Sequence, residues 1–380
     1  MILVTGAFGG SDEPASDTID PYALEKASVF TYGSLIFISD AEDDGAIKEL
    51  APNVRVQETF DSIGGSDAVL INSDYAGSLD SEYLYSNINT LIGESHPVML
   101  MGGDSPWIFT DKESSAVSTG FSDGKEDLFC LFYDSKTGIS RGNSISGQDL
   151  QESLGIGYEW AEKSMDDYTT GGFYDPGLMY SGGTPWILNY VAETYDHRYA
   201  DFGAVSAKTC YYVLQDSNTE KKYVLTVCEL QGTPGSPVSY FDKWIAVADM
   251  TVSTEASDGA HLETYAPLSV SGIGIVDVDM MIGVSWSYKI PDDSAAHNQS
   301  NYATDKFAIW HDFNELGAYK AEKQLIKPGK VVSVNGKTGV FHSETEEYSV
   351  TFYKERTLFG NQFLTVDQAI SVSLRDPAFE

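Results

Sequence analysis

The sequence predicts a mainly β protein, built of β-sandwich or β-barrel-like domains with a few short helices, and three observations carry that prediction. Runs of β-branched and aromatic residues recur between glycine, proline and asparagine turns along most of the chain. The strand signal dominates from Tyr211 almost to the end. One segment, Asp149 to Met165, has a clear helical period.

The elements follow in order. Val29 to Ser39 reads as one or two strands broken at Gly33, and Asn53 to Phe60 alternates as a half-buried strand does. Between Ser73 and Ile92 little is regular, although Ser81 to Tyr85 has the character of a short helix start. In the helix candidate, Leu150, Leu154, Tyr158 and Ala161 fall on one face. Val224 to Leu230 reads as a buried strand, closed by the turn-rich Gly232 to Pro237. Trp244 to Val252 and Ile273 to Val284 come next. In the latter, Ile275, Asp277 and Asp279 alternate with Val276, Val278 and Met280, which places two carboxylates on one face, about 7 Å apart. Val331 to Val340 closes the series: valines flank Asn335-Gly336, the pair best able to supply φ > 0 at both centres of a type I′ hairpin.

Within that hairpin, Ser333-Val334-Asn335-Gly336-Lys337-Thr338-Gly339 resembles a signature that recurs in fibre, appendage and other structural proteins of tailed bacteriophages. In that family it is usually followed by a threonine-rich strand and a small helix, where this chain has Phe341-His342-Ser343-Glu344. The resemblance implies a virion structural protein, a tail, fibre or head-attached component that assembles as a homo-oligomer with other virion proteins in the host cytoplasm. Strand edges and the C-terminal segment would then pair with sister chains, and loops would face solvent or host-surface glycans.

At 380 residues the chain exceeds the usual size of one core. The expected division is 1–140, 141–290 and 291–380, with the polar stretches Ser140 to Gln148 and Pro291 to Thr304 as connections. Its 57 acidic and 23 basic residues give a net charge of −34, which repels phosphate backbones and anionic membrane surfaces. Only five residues are arginine, so few planar forks exist for bidentate phosphate recognition. The acidity fits either a soluble particle component or a surface adapted to salt or divalent cations. Three cysteines, Cys130, Cys210 and Cys228, argue against a disulfide scaffold. With no secretory signal pattern and no run of 18 apolar residues, the expectation is a soluble chain made in a reducing cytoplasm, without membrane insertion.

Met1 to Gly10 resembles the first strand and glycine turn of nucleotide-sugar epimerases and short-chain dehydrogenases. Counting on in threes from Gly6 and Gly9 reaches Asp12, a carboxylate where the phosphates would lie, so no dinucleotide site is expected.

An internal echo pairs Leu100 to Ile108 with Leu178 to Ile187, and Cys130 with Cys210, suggesting a duplication around residues 100–140 and 178–218. Trp107 and Trp186 in that echo either pack under their Gly-Gly turns or stand out as stacking platforms for a sugar. The Asp277/Asp279 face either is solvated, or holds a calcium ion, or supplies the acid and nucleophile of a retaining glycosidase. Asp40 to Gly45 fails as a calcium loop because its twelfth position is Ala51. The six histidines are scattered, and no G-x-S-x-G elbow occurs. The sequence therefore predicts no enzyme and no cofactor beyond a calcium ion. The rival to the virion reading is a carbohydrate-binding or carbohydrate-cleaving β-sandwich.

Overall fold

A computed structural model describes residues 32–40, 47, 54–102, 117–121, 127–172, 178–180, 186–214, 221–255, 259–271, 274–280, 283–291, 294–313, 319, 321–335, 340–358 and 360–375. The chain is mostly β, as expected, with sheets of twelve, seven and three strands.

One half of the twelve-stranded sheet is α/β. Leu35–Ile38 pairs in parallel with Arg55–Gln57 and Ala68–Asn72, and Ala68–Asn72 pairs in parallel with Val98–Met101. Three of these strands, LIFI, AVLIN and VMLM, are near-continuous apolar runs, as strands covered on both faces must be. Ile36, Ile38, Val69, Ile71, Val98 and Leu100 pack with Leu84, Ile88 and Leu91 of the Ser81–Gly93 helix. The alternate residues Leu35, Phe37, Leu70 and Met99 pack with Leu154, Tyr158, Trp160 and Met165 of the Leu150–Thr170 helix. The first helix lies in the region expected to be largely irregular, with only a short helix start at Ser81 to Tyr85; the second falls where Asp149 to Met165 predicts a helix and runs on to Thr170, 21 residues in all. Asp80 caps the first by accepting from the Tyr83 N–H, and Asp149 caps the second by accepting from the Glu152 N–H. Gly171 ends the long helix at φ 71°, in the left-handed region that glycine enters without strain.

The same sheet continues antiparallel through Leu128–Asp134 and Ile139–Ser146. The long helix is the crossover to Trp186–Asp196, which lies parallel to Ile139–Ser146. Gly203–Leu214, Lys221–Pro234, Gly329–Asn335 and Ala260–Ala266 extend the sheet antiparallel. Over this second half lies the seven-stranded antiparallel sheet, ordered Val270–Ser271, Ala295–Asn298, Lys306–Asp312, Asp242–Glu255, Val340–Arg356, Gln362–Arg375 and Val117–Phe121. The two sheets form a β-sandwich whose core includes Tyr211, Leu225, Val247, Val252, Tyr348 and Phe352. A small sheet of Met179–Tyr180, Val284–Lys289 and Ile275–Met280 completes the fold.

Several expectations are corrected by this pairing. Gly329–Asn335 and Val340–Arg356 flank the Asn-Gly turn but do not pair with each other; the first belongs to the large sheet and the second to the seven-stranded one. Residues 336–339 between them lie outside the described residues. Ser140 to Gln148 is no linker, because Ile139–Ser146 is an interior strand, and the loop at 291–304 contains the Ala295–Asn298 strand. Pairing also runs across both expected boundaries, for Val117–Phe121 joins Gln362–Arg375 and Ala260–Ala266 joins Gly329–Asn335. The two Leu-Met pairs of the echo fall in different contexts: Leu100-Met101 ends a large-sheet strand, whereas Met179 begins a strand of the small sheet. Residues 1–10 and 41–45, which carry the glycine turn and most of the failed calcium loop, lie outside the described residues.

The sandwich core holds an ionic cluster. Lys330, on the large sheet, reaches Glu346 at 2.5 Å and Glu344 at 3.0 Å on the facing sheet, and His342 lies 3.0 Å from Glu344. Thr226 donates to Glu344 at 3.0 Å, and the Thr254 hydroxyl donates to Glu346. Burial pushes Glu346 up to about 7, helped by Glu344 and opposed by Lys330. Burial also works to raise Glu344, but Lys330 and His342 outweigh it and hold that carboxyl well below the usual range. Cys130, Cys210 and Cys228 are all buried free thiols.

Candidate functional site

The residues singled out in the sequence do not converge. Trp107 lies outside the described residues. Trp186 begins a strand of the large sheet and is only 7% exposed within the core, so its ring presents no face to a ligand. Asp277 and Asp279 alternate outward as expected, opposite Ser287 and Ser285 in register on the small sheet. Among the described residues, no group of three or more His, Cys, Asp or Glu is placed to hold a metal ion.

The concentration of ligand-type chemistry is on the outer face of the seven-stranded sheet. Strand alternation sends Val247, Val350 and Phe352 into the sandwich and turns Ala246, Tyr353 and Phe363 outward. Tyr353 is the floor of a four-ring cluster. Its ring centroid lies 5.3 Å from Trp244, 5.2 Å from Phe363 and 4.3 Å from Tyr319. These distances and the tilted planes are those of favourable aromatic packing. Phe363 keeps 57% of its surface exposed.

A polar band lies next along the same strands. Asp249, Thr351 and Thr365 are neighbours in register, with Thr351 donating to Asp249 at 3.0 Å and its hydroxyl 3.2 Å from that of Thr365. Asp312 is the partner of Asp249 on the other side. Burial raises the Asp249 carboxyl above its usual range and neighbouring Asp312 adds to this, against the hydrogen bond from Thr351. Beyond it, the rings of Trp310 and His297 stack at 4.8 Å. The face thus offers aromatic surfaces at both ends of a band of hydroxyls and carboxylates.

The end of the sandwich beside the four rings is apolar as well. Thr357 donates through its backbone N–H to the Phe241 carbonyl at 2.8 Å, and Gly235 donates likewise to Phe202 at 2.8 Å, which ties three loops together. These loops expose Tyr240 at 96%, Val238 at 73% and Leu358 at 53%. Charged groups among them are matched, Lys243 with Glu355 at 2.5 Å and Arg356 with Asp242 at 3.0 Å.

No family model matches the chain, and no curated protein matches it. Among solved structures it is similar to a pore forming protein, at 10% identity and a TM-score of 0.31, over 52% of this chain and 92% of that one. It is also similar to Clostridium perfringens delta-toxin, at 9% identity and a TM-score of 0.33, over 53% of this chain and 95% of that one. A third similarity is to the Clostridium perfringens NetB toxin in its membrane-inserted form, at 10% identity and a TM-score of 0.27, over 50% of this chain and 93% of that one. At these scores the likeness carries no argument about fold or activity.

Proposed function

We propose that this protein is a recognition protein that binds a neutral carbohydrate on the outer face of its seven-stranded sheet. The observation that carries the reading is the ring cluster of the exposed Phe363 and the half-buried Trp244 and Tyr319 over a buried Tyr353, beside Asp249, Thr351 and Thr365. A sugar ring has apolar C–H faces and a rim of hydroxyls, which match stacked rings and short polar side chains respectively. The net charge of −34 disfavours an anionic surface as the occupant. Exposed rings at the centre of such a face carry most of the binding energy, so Phe363→Ala and Trp244→Ala are each expected to weaken glycan binding by about tenfold or more. A glycan array followed by calorimetry on the best hit checks this. An empty array, or variants that bind as well as the parent, overturns the reading.

A second reading, a tail, fibre or head-attached virion component, rests on the Ser333 to Gly339 resemblance and on one feature of the large sheet. Ala260–Ala266 is a seven-residue edge strand, and edges of this kind pair with other chains unless blunted. Asp305 occupies one of its donors by accepting from the Leu262 N–H at 2.9 Å. Assembly predicts a trimer or larger ring by light scattering at both low and high salt. A strict monomer under both conditions ends this reading and leaves the carbohydrate reading standing.

A further inference from the structure

Ten large apolar side chains stand exposed among the described residues, and five of them lie at or beside one end of the sandwich: Tyr199, Val238, Tyr240, Leu358 and Phe363. Val238, Tyr240 and Leu358 sit beyond the strand ends. The first two are on the turn between Lys221–Pro234 and Asp242–Glu255, the third on the turn between Val340–Arg356 and Gln362–Arg375. At 96%, 73% and 53% exposure, Tyr240, Val238 and Leu358 project from these turns instead of lining a groove. Large apolar groups left in water together mark a contact surface.

The turns are held from within. Besides the two backbone bonds that tie the loops, the Asp242 N–H donates to the Ser239 carbonyl at 2.9 Å and the Thr357 hydroxyl donates to the Phe241 carbonyl at 3.1 Å. Pro234 and Pro237 restrict the backbone further. Contact therefore orders little beyond the projecting side chains themselves. The charge pattern is the second observation. The chain carries −34, yet the charged residues of these loops and of the strand ends beneath them are paired. Arg198 lies 2.6 Å from Asp196 and Lys354 lies 2.8 Å from Asp201, in addition to the Lys243–Glu355 and Arg356–Asp242 pairs. From Pro234 to Phe241, and again from Thr357 to Phe363, the sequence has no charged residue.

We propose that this end of the sandwich is a membrane-contacting tip that seats Val238, Tyr240 and Leu358 in the interfacial layer of an uncharged, zwitterionic phospholipid bilayer. Area and shape favour lipid over a second copy of the chain. Three projecting side chains offer roughly half of the ~800 Å² that each partner of a stable protein pair buries. A bilayer needs no matching surface, and its hold grows with whatever apolar area is inserted. Tyr240 suits the interface, since its ring is apolar and its hydroxyl stays in the wet head-group layer. The charge selects the lipid. An anionic leaflet repels a chain at −34, whereas a zwitterionic one does not, and it meets a tip whose ions are already paired. None of the three residues belongs to the ring cluster assigned to carbohydrate, so the two readings stand or fall separately.

The test uses the full chain and sugar-free phosphatidylcholine vesicles, sedimented together at physiological salt. The protein should pellet with the vesicles, and mixing phosphatidylserine into them should reduce the bound fraction. Tyr240→Ser and Leu358→Ser should each weaken partitioning by at least about threefold, and the double variant by about tenfold or more. Both side chains are exposed, so the melting temperature should stay where it is. In Tyr240→Trp, phosphatidylcholine brominated on its acyl chains should quench the added indole beyond the quenching seen in the parent. No pelleting, pelleting that the double variant retains, or tighter binding to phosphatidylserine vesicles would overturn the proposal. So would a double variant that loses self-association in light scattering while the parent ignores vesicles, which would make a second copy the occupant. Because the vesicles carry no sugar, failure here leaves the glycan result intact, and an empty glycan array leaves this one intact.

Discussion

Replacing Lys330 by methionine should destabilise the protein by about 3–5 kcal/mol, with a larger loss at pH 8 than at pH 5. The ammonium is 1% exposed and stands between Glu344 and Glu346, which are themselves fully buried. Methionine fills much of the volume and removes the only lysine charge in that cluster, so two carboxyls remain in the sandwich with His342 alone to offset them. At pH 5 they take up protons and the loss is moderated; at pH 8 they do so only against a steeper proton gradient. Denaturant titration at both pH values measures the difference. A loss under about 1 kcal/mol, equal at the two pH values, would show that the cluster is solvated and its burial unimportant.

The parent protein should carry the signature of Glu346 in its own pH profile. The folded-state value of Glu346 is raised to about 7, above the ordinary carboxylate value near 4.3. Its contribution is fully present below the unfolded value and is lost as pH rises through about 7, so stability should fall over that window. Glu344, held low, acts in the opposite sense: its contribution is present above the ordinary value and disappears only in stronger acid. Glu346→Gln keeps a partner for Thr254 and for one Lys330 contact, and should flatten the fall between roughly pH 4.5 and 7. A parent whose stability rises steadily over that range would contradict the assignment.

The parts of the fold that were legible in the sequence are those with a local period. Leu154, Tyr158 and Ala161 marked the long helix, and it is present over Leu150–Thr170. Ile275 to Met280 alternates outward and inward as its residues do. The parallel half escaped because LIFI, AVLIN and VMLM are buried on both faces and so carry no alternation. Only the start of the Ser81–Gly93 helix, Ser81 to Tyr85, was legible although Leu84, Ile88 and Leu91 have the right spacing, since serine, asparagine and tyrosine around them gave a loop-like composition. The Asn335-Gly336 hairpin failed for a different reason: valines on either side of a turn record strand propensity, not which sheet each strand joins.

The sites depend on long-range register even more. Trp244, Tyr353 and Phe363 come from three strands, and only the pairing of Asp242–Glu255, Val340–Arg356 and Gln362–Arg375 brings them together. The ionic cluster did leave a signal. Tyr348, Val350 and Phe352 fix which parity of that strand faces the core, and extending it back places Glu346, Glu344 and His342 inward as well. The stretch Ser343 to Glu347 is polar at every position, which hid that parity. The cluster of Arg141, Ser164 and Lys208 has no local signal, since these residues meet only through the crossover of the long helix.

Trp286→Ala should destabilise the protein by about 3–5 kcal/mol, and Trp286→Phe by less. The indole is 2% exposed in the main core and its Nε1 donates to the Lys327 carbonyl at 2.8 Å, so it couples the small sheet to the large one. Gly329 makes the fit possible. A Cβ there would lie 2.7 Å from the Trp286 ring and 2.8 Å from the Thr226 carbonyl oxygen, too close for any side chain. Gly329→Ala should therefore also destabilise, and part of its cost should vanish in a Trp286→Phe background while the clash with the Thr226 backbone remains. Strict additivity of the two changes would mean that ring and glycine do not meet. Partial rescue would establish that the indole of the small sheet packs directly on the bare strand backbone at Gly329.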